Sequence, residues 1–392
     1  GRRSKMGKIK VLTGADAVAY GAKICEVEVI AAYPITPQTH VVETLSEFVA
    51  NGELDAEYIR VESEHSAISA TTAASAAGVR TFTATSSQGL ALMHEILFIT
   101  SGIRAPVVMG VTNRALSAPI NIWCDHQDSI SQRDTGWLQF YVESSQEALD
   151  SIIMAYKISE NENVLLPSMV CFDGYVLSHT VEPFEIPDTE EVRRYLPKYN
   201  PTHSYIDPEN PMTIGPLGDP NWFMEFKKQQ YDAMEDAKEI VKKETAEFEK
   251  SFGRGYGNGL VEKYKEGEIS LIAMGSVAGT CKEVVDRTED IGFLRLRTYR
   301  PFPKDDLKEA LKDAKVVAVI ERDISFGMGG AVYSDLTAAL STLEEPPIVV
   351  DFISGLGGRD ITPKNIEQVI EISKKVYREG KAENIVNWIG LR

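Results

Sequence analysis

The sequence has only four cysteines, Cys25, Cys124, Cys171 and Cys281, and no C-x-x-C pair among them. That spacing excludes a disulfide framework and an iron-sulfur or zinc cluster built by this chain, so any redox cluster belongs to another polypeptide. The six histidines form no H-E-x-x-H or similar pattern, and no metal is assigned to the chain. Positive charge is short: 41 Lys and Arg against 58 Asp and Glu give a net charge of −17. Such a surface repels nucleic acid and anionic membranes and leaves small molecules and proteins as partners. No run approaches the ~20 apolar residues that cross a bilayer. The first strand-turn, Thr13-Gly14-Ala15-Asp16, lacks Gly-x-Gly-x-x-Gly, which disfavours a nicotinamide-dependent dehydrogenase. Gly1 to Lys5, before Met6, carry no apolar signal core and read as an expression scar, so a cytoplasmic location is expected.

What is present is an ordinary globular composition, 43% hydrophobic and 25% charged over 392 residues, long enough for two or three domains. From Ile9 to about Phe172 short β-branched runs alternate with helical patterns, the mark of β-α-β units around a parallel sheet. Buried strands are expected at Val11–Thr13, Val29–Tyr33, Tyr58–Val61, Thr81–Ala84, Pro106–Val111 and Leu165–Phe172, with helices including Glu64–Ala77 and Gly89–Ser101. Eight prolines between Glu182 and Asn221 predict an irregular excursion. A charged helix from about Trp222 to Lys250 then runs into Gly-Arg-Gly-Tyr-Gly-Asn-Gly at 253–259, which reads as a domain linker. The alternation resumes beyond it, with one continuous strand expected at Phe293–Thr298. The expectation is an α/β protein with one domain over 6–252, its excursion near 182–221, and a smaller α/β domain over 260–392.

In an open parallel sheet, ligands collect beyond the carboxyl ends of the strands, where helix N-termini point their free N–H groups. Four turns fall there: Tyr33-Pro-Ile-Thr-Pro-Gln38, Glu62-Ser-Glu-His65, Thr85-Ser-Ser-Gln-Gly89, and Asn113-Arg114 followed by Trp123-Cys-Asp-His-Gln-Asp128. Each has a structural reading. Pro34 and Pro37 can stop a strand and start a helix with Thr36 as cap. Glu64 can complement a helix dipole, the Ser-Ser-Gln loop can cap a helix, and Arg114 can form a surface ion pair. Together, a hydroxyl, a carboxylate, a polar glycine loop and an arginine on one edge suit an anionic substrate that carries a keto group.

Ala32-Tyr-Pro-Ile-Thr-Pro37, Arg60-Val-Glu-Ser-Glu-His65, Thr83-Ala-Thr-Ser-Ser-Gln-Gly89 and Asp125-His-Gln-Asp128 with Gln132-Arg-Asp-Thr-Gly136 closely resemble the alpha chain of archaeal-type pyruvate:ferredoxin oxidoreductases. Phe326-Gly-Met-Gly-Gly330 and Leu356-Gly-Gly-Arg-Asp-Ile-Thr362 extend the resemblance, which covers about Lys8 to Ile389. It implies a thiamine diphosphate-binding, pyrimidine-type first domain and a transketolase C-terminal-like second domain. By the same resemblance, Glu64 contacts the aminopyrimidine of the cofactor, with Pro34, Ile35, Ser87 and Gln88 lining its site, and Thr36 and Arg114 contact the substrate. A carboxyl group bonded to the pyrimidine ring nitrogen favours the tautomer that can deprotonate the thiazolium, and a guanidinium fork suits a carboxylate.

The resemblance further implies pyruvate and coenzyme A as substrates, ferredoxin as electron partner, and beta, gamma and delta-type subunits. No Gly-Asp-Gly stretch for a magnesium-pyrophosphate site occurs, Gly218-Asp-Pro220 being interrupted by proline. The magnesium and the [4Fe-4S] clusters are therefore expected on partner chains. The glycine-rich segments of the second domain read as tight packing at a subunit contact, or as a phosphate or coenzyme A contact helped by Arg295, Arg297 or Arg359. Two rivals stay open: the same chemistry on 2-oxoisovalerate or 2-oxoglutarate, and a noncatalytic docking subunit.

Overall fold

We describe the fold from a computed structural model covering residues 7–203 and 205–392; the expected scar at Gly1 to Lys5 lies outside them. The chain begins β1 (Lys8–Thr13), α1 (Gly14–Ile24), β2 (Val29–Ala32), α2 (Thr39–Ala50), β3 (Glu57–Arg60), α3 (Glu64–Ala76), β4 (Thr81–Thr85), α4 (Ser87–Gly102) and β5 (Val108–Asn113). It continues with α5 (Gln127–Ile130), β6 (Leu138–Tyr141), α6 (Ser145–Ser159), β7 (Ser168–Asp173), β8 (Val181–Ile186), α7 (Thr189–Tyr195) and α8 (Phe223–Phe252). The last third holds β9 (Val261–Lys265), β10 (Ile269–Ala273), α9 (Val277–Asp286), β11 (Ile291–Leu296), β12 (Thr298–Arg300), α10 (Lys304–Leu311) and β13 (Val316–Glu321). It closes with α11 (Ala331–Leu340), β14 (Ile348–Ile353), α12 (Pro363–Glu379) and β15 (Val386–Trp388).

The α/β expectation holds. Seven strands form the larger sheet in the order β12-β6-β7-β5-β4-β2-β3, parallel except for β12 on β6. Six form the second sheet, β15-β14-β13-β10-β11-β9, antiparallel only at β9. Central strands such as β5 and β7 are buried along their whole length, because helices cover both faces of a parallel sheet. Helix α8 runs 30 residues on a narrow seam, Ala233, Ala237, Val241, Thr245 and Phe248, whose three- and four-residue steps keep one face on the core. It stops at Gly253, whose φ of +72° places the C-cap in the left-handed region.

Several expectations need correction. Val11–Thr13 is no buried strand of the parallel sheet. It belongs to β1, which pairs antiparallel with β8 in a separate ribbon and leaves Ile9 and Val11 exposed. The strand at Tyr58–Val61 lies at the sheet edge as Glu57–Arg60, half-exposed, since only β2 pairs with it. Within the proline-rich excursion, β8 and α7 are regular, because the prolines near them stand at an edge strand or before a helix. β6 is a strand beyond those expected, and α6 fills part of the gap before β7. The expected strand Phe293–Thr298 breaks in two: β11 stays in the second sheet and β12 crosses to the first.

The two sheets share a core. One apolar cluster runs from Leu90, Met93 and Trp137 to Ile272, Leu294 and Leu336. Across the same boundary, buried Glu147 of α6 pairs with Arg295 at 2.6 Å and Arg297 at 2.7 Å. The glycine-rich stretch at 253–259 is pinned rather than loose: Arg254 and the Tyr256 hydroxyl both donate to Asp150 at 2.6 Å.

Candidate functional site

Strands β3, β2, β4 and β5 are neighbours and end on one edge, and the strand order reverses at β2, which carries β3 on one side and β4 on the other. A crevice at such a reversal is where open α/β sheets take ligands. All four singled-out turns reach it.

Glu64 is the first residue of α3, after the N-cap Ser63, whose Oγ accepts the Ser66 N–H. It is 7% exposed, and among the described residues no donor reaches its carboxylate. That carboxylate lies against α4: a Cβ built on Gly89 would stand 2.6 Å from Glu64 Oε1 and 2.5 Å from Thr85 Oγ1. Thr85 Oγ1 is itself buried without a partner. Glycine at 89 thus keeps a cradle open between an unpaired carboxylate and an unpaired hydroxyl. Glu62 does not continue β3, which ends at Arg60; its exposed carboxylate accepts from Ser66 Oγ at 2.6 Å.

Arg114, directly after β5, is 7% exposed. Its Nε donates to the Asn121 carbonyl at 2.8 Å and Nη1 to the Thr36 carbonyl at 2.9 Å. No carboxylate pairs with this guanidinium among the described residues, and its other N–H groups are without a partner there. A buried cation without a counter-charge is costly unless an anion completes it. The surface ion-pair reading of Arg114 is thereby corrected. Thr36 itself is exposed on the turn after β2, with Pro34 exposed and Ile35 half-buried beside it.

Ser87 opens α4 with φ +49°, a left-handed backbone that costs a non-glycine residue about 1 kcal/mol or more. What holds it there is Asp128, to which sequence reasoning gave no role. Asp128 Oδ2 accepts the backbone N–H of both Ser87 and Arg114 at 3.0 Å, and Oδ1 accepts from Asn113 Nδ2 at 2.9 Å. One buried carboxylate therefore locks the turns after β4 and β5 together. Burial pushes Asp128 up to about 6, against the pull of the Asn113, Ser87 and Arg114 donors. The signal was available, since Asp128 ends the quoted Asp-His-Gln-Asp motif. Ser87 Oγ donates to the Ala115 carbonyl and lies within hydrogen-bond distance of the half-buried Gln88 amide, which completes the polar loop.

Beside this edge, Cys124, His126 and Asp173 approach within ligating distance of one another. Asp173, however, takes the His126 ring at 2.7 Å, Arg322 at 3.1 Å and the Ser276 hydroxyl. Burial would raise its pKa, but His126 and Arg322 more than offset that and hold it below the usual carboxylate range. The group ties the second sheet to the end of β7. A cavity of about 910 Å³ lies elsewhere, between α8, the end of α4 and α11, and none of the candidate residues lines it.

Among the second-domain glycines, Gly330 and Gly358 face inward, whereas Gly279 and Gly327 face open space. A Cβ on Gly330 would meet the Glu321 carboxyl at 1.9 Å, and one on Gly358 would meet Trp123 at 2.2 Å. The closeness of Gly330 and Gly358 to these groups serves packing within the chain. Arg295 and Arg297 are spent on Glu147, so the phosphate reading of these two arginines is corrected as well, whereas Arg359 is exposed and donates to the Gly390 carbonyl.

Residues 20–246 match the family described as pyruvate flavodoxin/ferredoxin oxidoreductase, thiamine diP-binding, and residues 267–366 match pyruvate:ferredoxin oxidoreductase core domain II. The pyruvate synthase subunit PorA of Pyrococcus furiosus is 56% identical over 389 residues, 98% of each chain. The chain belongs to the pyruvate:ferredoxin oxidoreductase family. Within the wider group of similar proteins, the ketoisovalerate oxidoreductase subunit VorA of Pyrococcus horikoshii is 44% identical over 98% of each chain. Among solved structures, a 2-oxoglutarate:ferredoxin oxidoreductase from Magnetococcus marinus superposes with a TM-score of 0.72 at 19% identity. That likeness covers 93% of this chain and 65% of the other, and it supports the fold assignment: a thiamine diphosphate-type domain followed by a smaller α/β domain.

Proposed function

We propose that this chain is the alpha-type subunit of a pyruvate:ferredoxin oxidoreductase, with Arg114, Thr36 and Glu64 supplying its half of the catalytic site. The observation that carries the reading is the buried Arg114 guanidinium, braced by two backbone carbonyls and without a counter-ion among the described residues. A 2-oxo carboxylate provides that counter-ion. Thr36, one turn away, offers a hydroxyl to the keto or carboxyl oxygen.

The residues present fit thiamine diphosphate. Glu64 is an unpartnered carboxylate at a cradle that any side chain on residue 89 would fill, and Pro34, Ile35, Ser87 and Gln88 would border the same group. When bound, thiamine diphosphate supplies a carbon nucleophile toward the 2-oxo carbon and a sink for the electrons freed by decarboxylation. Glu64 would hold a proton at the pyrimidine ring nitrogen. Arg114 would fix the carboxylate so that the keto carbon faces the nucleophile, and Asp128 keeps both turns in register. The overall reaction is oxidative decarboxylation of pyruvate with coenzyme A to acetyl-CoA and carbon dioxide, electrons passing to ferredoxin, and it is reversible. Beta, gamma and delta-type partners would carry magnesium, the pyrophosphate half of the site and the [4Fe-4S] clusters. A second reading, turnover of 2-oxoisovalerate, draws on the 44% identical relative.

The test is Arg114→Leu in the assembled complex. We expect kcat/KM for pyruvate to fall by at least ~2 kcal/mol in transition-state terms, the scale of a lost charge-assisted contact. The KM for coenzyme A stays unchanged. A loss below about twofold would return Arg114 to a structural role. Comparing pyruvate with 2-oxoisovalerate and 2-oxoglutarate in the wild-type complex decides the substrate.

A further inference from the structure

Between Arg114 and α5 the chain makes a long loop that lies on the second domain. Asn121 stands at its middle, half-buried, and faces two ways. Its backbone carbonyl receives Arg114 Nε at 2.8 Å, while its side-chain amide donates to the Gly357 carbonyl at 3.1 Å. Gly357 returns its own N–H to Asp125 Oδ2 at 3.0 Å, and Arg322 donates to the Cys124 carbonyl at 3.1 Å.

The Gly355–Gly358 turn is shaped for this contact. Gly357 and Gly358 have φ of +60° and +81°, where a side chain is strained. A Cβ on Gly357 would stand 2.6 Å from Asn121 Nδ2, and one on Gly358 would stand 2.2 Å from Trp123 Cβ. Bare backbone is what lets the loop settle here. The other brace on the guanidinium, the Thr36 carbonyl, comes from the turn after β2, so the aim of Arg114 depends on both domains.

We propose that Asn121 and the Gly357–Gly358 turn are positioning residues for substrate selection: the second domain, through Asn121, sets the direction in which Arg114 presents its free N–H groups to the carboxylate of a 2-oxo acid. This rests on the reading of Arg114 as the carboxylate clamp. It gives the glycine turn of the second domain a task in the first domain's chemistry, although neither glycine touches the crevice.

The experiment uses the assembled complex with pyruvate, coenzyme A and an electron acceptor, and compares Asn121→Ala, Gly357→Ala, Arg114→Lys and the Arg114→Lys, Asn121→Ala double variant. Each of the first two is expected to raise the KM for pyruvate roughly fivefold, the scale of one lost neutral hydrogen bond. Their kcat stays within about twofold and the KM for coenzyme A does not move. In the Arg114→Lys background, where no Nε remains to be held, Asn121→Ala is expected to add less than about twofold. Additive effects, or a uniform loss of kcat and thermal stability, would make Asn121 a merely structural residue and overturn the proposal. If Arg114→Lys raises the KM while Asn121→Ala and Gly357→Ala leave it alone, the clamp stands and the coupling is wrong. If Arg114→Lys itself leaves the KM unchanged, the clamp reading fails, and this proposal fails with it.

Discussion

Removing the carboxylate at Glu64 separates fold from chemistry. A first-turn charge on a helix contributes only ~0.3–1 kcal/mol through the dipole, and no hydrogen bond among the described residues is lost with it, so Glu64→Ala is expected to melt within a few degrees of wild type. Exchange of the thiazolium C2 proton in the assembled, cofactor-loaded complex should slow sharply. Glu62→Ala, at an exposed residue whose carboxylate accepts from Ser66, should exchange normally; the reverse pattern would move the role to Glu62. Asp128 gives a pH-dependent counterpart. Its carboxyl, lifted to about 6 by burial, gains a proton below that value and can no longer accept from all its donors. The kcat/KM for pyruvate is therefore expected to fall as pH drops through about 6. Asp128→Asn, which turns an NH₂ toward N–H donors, should be slow at every pH and show no break there; a retained break near 6 would assign it to another group.

Among the elements, α11 has its N-terminus taken up by carboxylates from within the chain. Glu321 accepts the N–H groups of Val332 and Tyr333 at 2.9 Å, Asp323 that of Ala331 at 3.0 Å, and Asp351 that of Gly330 at 2.7 Å. Such pairing satisfies the free donors of a helix start and explains why residue 330 carries no side chain. Gly330→Ala forces a methyl group onto the Glu321 carboxyl and is expected to cost about 1–3 kcal/mol, as overpacking does. Gly279→Ala, within α9 and with nothing within 4 Å, should instead gain up to ~1 kcal/mol from helix propensity. Denaturant midpoints of the two variants, shifting in opposite directions, check both. The motif Phe326-Gly-Met-Gly-Gly330 was visible in the sequence, but its partners Glu321 and Asp351 sit on two strands that only the sheet brings together.

For the whole molecule, the bond between domains is electrostatic as well as apolar. Burial would raise Glu147, but Arg295 and Arg297 more than offset it and hold it down to about 2. A lowered carboxylate contributes stability above its ordinary value of ~4.5 that is lost as pH falls toward ~2. Asp351, lifted to about 6 chiefly by burial, works the other way: its contribution is present in acid and declines as pH rises from ~4 through ~6. Glu147→Ala would leave two buried guanidinium groups short of a partner. A loss of about 3–5 kcal/mol is expected, with the acid limb of the stability profile flattened. Calorimetry across pH measures both; a variant as stable as wild type would mean that Glu262 alone carries Arg295.

The amino-acid sequence by itself determined the fold class, because the alternation of short β-branched runs with amphipathic helices is local. It also placed Thr36, Glu64, Ser87 and Arg114 on one edge, because strand-to-helix turns of a parallel sheet must share it. The tertiary structure alone decided which strands join which sheet. β12 follows β11 almost directly yet pairs with β6 far back in the chain, and β1 leaves the parallel sheet for β8. It alone revealed Asp128 and Asn121 as the braces of Arg114 and the missing counter-charge that makes this arginine stand out. The physical reason is range. Periodicity and capping act over a few residues and are written in neighbours, whereas burial of a charge, and the identity of what compensates it, depend on groups that meet only when the sheets close.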